Sequence, residues 1–158
     1  MTRAPRPRAS LLRLRYFVVA LAILVFAGIS FLLARVLAAD SRERSDVADL
    51  LRAQARGDAA AMLRELHGCA DQTACSERVR SNAQRLRRPG AVKVVRLDPS
   101  TTFALSGHTG PARVVWNTSR VTRPVVQCVV VRRTGNVLSG PGVQLESVSG
   151  PRPGTSDC

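Results

Sequence analysis

Apolar residues are distributed along this chain in two regimes. From Tyr16 to Ala34 the sequence reads YFVVALAILVFAGISFLLA, nineteen residues without a charge. As a helix this run reaches about 28 Å, close to the hydrocarbon thickness of a bilayer. A core helix of a small soluble domain would show a polar face, and this stretch has none. Beyond it apolar positions recur at helical spacing. Val47, Leu50, Leu51 and Gln54/Ala55 predict a helix capped by Ser45 or Asp46 and running to Arg56. Gly57 ends it and Asp58 caps a second, with Ala59, Met62, Leu63 and Leu66 on one side. His67-Gly68 closes that helix. A third is predicted from about Ala74 to Arg88, burying Cys75, Val79, Asn82/Ala83 and Leu86, and Pro89-Gly90 stops it.

From Ala91 the period shortens to that of strands. Val-rich runs at 91–97, 112–119, 125–133 and 142–150, with a short one at 101–106, predict four to five strands. Residues 107–111, Gly-His-Thr-Gly-Pro, read as a loop, and Thr134-Gly135-Asn136 as a turn. Helices followed by an antiparallel sheet make an α+β domain with the helices on one sheet face. The expected division is a basic disordered arm at 1–15, a membrane anchor at 16–39, a domain at 40–150, and a Pro/Gly/Ser-rich tail at 151–158 held by Cys158.

Charge sets the expected topology. The arm carries Arg3, Arg6, Arg8, Arg13 and Arg15 and no acid, and Arg35 closes the apolar run. This is the positive-inside pattern, with Arg13, Arg15 and Arg35 as topology determinants: arm in the cytoplasm, remainder outside. The n-region and apolar run are too long for a cleaved signal peptide. Arg35 also interrupts the approach to Val36-Leu37-Ala38, so an uncleaved signal anchor is expected. The protein should therefore sit in the plasma membrane as a single pass, contacting the bilayer through 16–39.

The net charge of +13 resembles a nucleic-acid signature until it is divided. From residue 36 onward eighteen basic residues face eleven acidic ones, a balance of +7. That charge suits acidic envelope polymers or anionic lipid headgroups, whereas nucleic acid lies on the wrong side of the membrane. Lys93 is the only lysine among the twenty-four basic residues. A bias so strong towards Arg, with abundant Ala, Gly, Pro and Val, points to a GC-rich bacterial genome, of actinobacterial type.

Cys69, Cys75, Cys128 and Cys158 all follow the apolar run, and an even count in an extracytoplasmic domain reads as two disulfides. Three pairings are open; Cys69 with Cys75, leaving Cys128 with Cys158, is the natural local choice. The rival is a metal site at His67-x-Cys69-x5-Cys75, whose spacing matches no standard zinc knuckle. No cofactor or metal is expected.

No nucleophile elbow, P-loop, dinucleotide fingerprint or zincin helix appears. The sheet region offers Asp98 beside a proline turn, Glu146, and His108 in a Gly-Pro loop, none with an evident acid–base partner. An enzyme is not expected. Arg56-Gly57-Asp58 is ordinary helix-junction chemistry, and the sequon Asn117-Thr118-Ser119 is idle in a bacterium. The arginines of the third helix, Arg78, Arg80, Arg85, Arg87 and Arg88, read as a solvated face. Phe103, His108 and Trp116 are the candidates to line a pocket or an interface, Trp116 as core or cavity lining ahead of an interface anchor.

Two segments carry a family resemblance: Ala55-Arg56-Gly57-Asp58-Ala59-Ala60-Ala61-Met62-Leu63, a Gly-Asp break between first helices, and Val126 to Gly135, a long strand entering a Gly turn. With the element order over about 45–150 they resemble the nuclear-transport-factor-2-like (cone-shaped, SnoaL-like) superfamily, and a cystatin-like sheet is the near neighbour. A short arm, one membrane helix and an outer cone domain is similar to the bitopic assembly subunits of type IV secretion and conjugation machines. It is similar also to membrane proteins associated with actinobacterial lipid-import complexes. The resemblance implies a packing piece with envelope or membrane protein partners. A second implication of the cone is a pocket for a lipid or other small molecule.

Overall fold

The computed structural model describes residues 8–98, 108–134, 142–153 and 158. It contains α1 (Arg8–Arg56), α2 (Ala59–Glu65) and α3 (Thr73–Arg85), then β1 (Val92–Asp98), β2 (His108–Thr118), β3 (Val125–Thr134) and β4 (Gly142–Val148). The chain divides after Leu37 into two units, taken in turn below.

In the first unit α1 is apolar on every side. Tyr16, Phe17, Leu21, Leu24, Phe26, Ile29 and Leu33 are all exposed around its circumference. Among the described residues this is the one helix long and apolar enough to cross a membrane. Arg35 closes the run and lies over the Phe31 ring at 4.8 Å. Arg15 is exposed, and the Arg13 side chain lies outside the described residues.

The expected helix start at Ser45 or Asp46 is not found, because α1 continues unbroken through both. Residues 38–46, AADSRERSD, contain no Gly or Pro to stop a helix that is already propagating. Gly57 ends it with φ +79, a conformation that favours glycine. Asp58 then caps α2, its Oδ1 accepting from the Ala61 amide at 2.9 Å. α3 stops at Arg85, three residues short of expectation.

The second unit is an α+β domain: helices packed on a four-stranded antiparallel sheet of order β1-β2-β3-β4. Val47, Leu50, Leu51, Met62, Val79 and Ala83 from the helices, with Leu66 just past α2, meet Ala112, Val114, Trp116, Val125, Val129, Val131, Leu145 and Val148 in one core. The expected loop at 107–111 is a correction: His108–Pro111 belongs to β2. Pro111 is tolerated because β2 has outrun β1 there. The last β1 partner is Arg113, opposite Asp98, so among the described residues β1 has no ladder partner for the missing N–H of Pro111. The short strand expected at 101–106 lies outside the described residues.

A polar cluster crosses the core. Gln127, fully buried, accepts through Oε1 from Gln54 Nε2 and Trp116 Nε1, both at 2.8 Å. Its Nε2 donates to the Ser149 carbonyl at 2.8 Å, and Asn82 Nδ2 donates to the same carbonyl at 2.9 Å. One glutamine thereby joins α1, β2, β3 and the segment after β4. Each member has a partner, which is what makes buried polar groups tolerable.

Candidate functional site

The two flanks of the sheet differ. On the β4 side the segment after α2 closes the edge: Leu66 bridges Leu145, and the His67 amide donates to the Leu145 carbonyl at 2.6 Å. The Cys69–Cys75 disulfide pins that segment to α3. Past the end of β4 the chain stays beside β3, with the amides of Ser149 and Arg152 donating to the carbonyls of Cys128 and Val126 at 2.8 Å. The Cys128–Cys158 disulfide fastens the tail there.

On the other side β1 is the terminal strand, paired among the described residues only with β2. A register shift between Val94 and Arg96 leaves Val95 as a bulged residue. Val94 opposes Trp116 on the inner side, while Lys93 and Arg96 oppose Asn117 and Val115 on the outer side. Val94 is 38% and Val95 61% exposed. Among the described residues past Leu37 these are the only exposed large apolar side chains. Lys93 is exposed and has no ion-pair partner among the described residues.

The candidates for a pocket or interface are not brought together. Trp116 is fully buried (0% exposed), its face under the Arg88 guanidinium at 5.8 Å. His108 is exposed at the start of β2. Phe103 lies outside the described residues. The sheet carboxylates are ion-pair members: Asp98 accepts from Arg96 at 2.7 Å and Arg113 at 3.5 Å, and Glu146 from Arg132 at 3.5 Å. The hydrogen bond from Arg96 holds the Asp98 carboxyl below the ordinary carboxylate range, so it stays charged. Both thiols of His67-x-Cys69-x5-Cys75 are consumed by the disulfide, and no His/Cys/Asp/Glu group able to hold a metal occurs among the described residues.

Two further surfaces carry charge. Arg133 donates through Nε and Nη2 to Glu43, which is only 2% exposed, and its Nη2 lies 3.9 Å from Asp40. An open groove of about 490 Å³ runs along α3, lined by Glu77, Arg78, Ser81, Arg85, Gly150 and Pro151 among others.

The Val-rich run at 91–97 marks β1 in the sequence but not its place at the end of the sheet, which is what exposes Val94 and Val95. The one usable signal was Lys93, since lysine is a common guard of edge strands. Gln127 was also missed, standing as a lone amide in an apolar run. No family model, curated protein or solved structure matches the chain.

Proposed function

We propose that this is a single-pass protein of a bacterial cell envelope, with its N-terminus in the cytoplasm, whose α+β domain stands outside the membrane and acts, without catalysis, in protein–protein assembly. The observation that carries the reading is an enclosed Trp116 beside an apolar sheet edge that is open among the described residues. Trp116, the best-placed residue to line a ligand cavity, is enclosed and hydrogen-bonded to Gln127. Among the described residues of the domain, the exposed large apolar side chains gather instead on β1. A terminal strand with exposed valines is a surface suited to another protein.

The location draws on two features. The apolar run of α1 is long enough to span a bilayer, and two disulfides are at home in an oxidising compartment. The arginines of the arm then favour a cytoplasmic N-terminus. The resemblance to cone-shaped domains on membrane anchors supports the same reading and suggests a multisubunit envelope machine. The alternative, a cone holding a lipid or other small molecule, would require Trp116 to face an open cavity.

Proximity labelling in the native host, with the label on Arg80 of α3, tests this. A discrete set of envelope or membrane proteins is expected. Recovery of bulk neighbours alone, together with lipid co-purifying with the protein, would reverse the choice in favour of the ligand-binding alternative.

A further inference from the structure

We propose that β1 is a docking strand, which pairs along its open edge with an extended segment of a partner protein in which apolar and acidic residues alternate. This rests on the assembly reading and names the surface and the partner's chemistry.

Two independent observations converge on β1. It is the sheet edge that remains open among the described residues, the β4 edge being closed by Leu66 and His67. It also holds both exposed large apolar side chains found among the described residues of the domain, Val94 and Val95. Main-chain pairing supplies the affinity of an added strand, and side-chain pairs supply its specificity. Lys93 and Arg96 project from the outer side, and Arg96 is already neutralised by Asp98. Lys93 is left as the unpaired charge, so a complementary strand carries an acidic residue opposite it and an apolar one opposite Val94.

The same features exclude indiscriminate pairing. A lysine and a bulge on an edge strand are devices that discourage self-association, and here both occur within three residues. A second copy of the chain would bring another Lys93 to the outer side of the same edge, and like charges across a strand pair are unfavourable.

The test uses the full-length chain in phosphatidylcholine nanodiscs, titrated with synthetic nonapeptides alternating Val with Glu or Val with Lys. A proline-interrupted form of the first is the control, and hydrogen exchange is the readout. The Val/Glu peptide is expected to protect amides in 92–98 and not in 142–148, and to bind about tenfold more tightly than the Val/Lys peptide at low salt. K93E, on an exposed side chain without an ion-pair partner, should leave the fold intact and invert that preference. No protection at 92–98, equal binding of both charges, or equal binding of the proline-interrupted peptide would overturn the proposal. Discrete partners captured from Arg80 together with any of these failures would leave assembly standing and remove β1 from it. Bulk neighbours alone would instead sink the assembly reading itself.

Discussion

Gln127→Leu is the perturbation that most directly tests the account of the core. The side chain is about the same size, so the change is one of hydrogen bonding. Trp116 Nε1 and the Gln54 amide lose their partners, while the Ser149 carbonyl keeps Asn82. A buried polar group left unsatisfied costs about 1–3 kcal/mol, so two orphans set an expected loss of about 3–4 kcal/mol. Gln54→Leu should cost only about 1 kcal/mol, because Gln127 still serves Trp116 and Ser149. Removing both amides leaves the indole N–H as the main orphan, about 2 kcal/mol, so the double variant should be more stable than Gln127→Leu alone. The assay is urea unfolding of the full chain in detergent micelles, followed by the fluorescence of Trp116, the only tryptophan. A loss below about 1 kcal/mol for Gln127→Leu, or additive effects in the double variant, would refute the reasoning.

Other outcomes follow from the same structure. Replacing Cys128 and Cys158 with Ser releases a link of sequence separation 30 and should cost ~3.5 kcal/mol; Cys69 and Cys75, at separation 6, should cost ~2 kcal/mol. Non-reducing peptide mapping should find both pairings and no free thiol; an alkylatable cysteine would refute the framework. Arg133→Met leaves the enclosed Glu43 carboxylate without its partner and should destabilise by about 2–3 kcal/mol, against about 1 kcal/mol for Glu43→Gln, and the reverse order in urea melts would count against the pair. Asp46 has its carboxyl raised by burial and then by Asp49, so its ionised form opposes folding at neutral pH and the penalty fades as pH falls below the unfolded value. Asp46→Asn should thus stabilise slightly at pH 7, within about 0.5 kcal/mol, and not in acid; a gain that persists in acid would contradict this. Asp98 has the opposite sign: its lowered carboxyl favours folding above the unfolded value, and the contribution is lost as pH falls through the depressed one.

What the amino-acid order determined was whatever depends on near neighbours. Nineteen uncharged residues define a helix long and apolar enough to cross a membrane, Gly57-Asp58 a helix break, the spacing of Met62 and Leu66 a buried stripe, and the Val-rich runs a sheet, because each is a matter of period or of a local cap. Cys69 and Cys75 are close enough in the chain for their pairing to be anticipated, and the Cys128–Cys158 link follows by remainder. Tertiary structure alone decided the rest. A helix that has started does not stop at Ser45 without a breaker, and Pro111 can join a strand because β1 ends before reaching it. Gln127 reads as an anomaly in a strand until Gln54, Trp116 and Ser149 converge on it from distant parts of the chain. Strand order is likewise non-local. Only the assembled sheet, with Leu66 and His67 closing one edge, makes β1 the edge left open among the described residues and exposes Val94 and Val95.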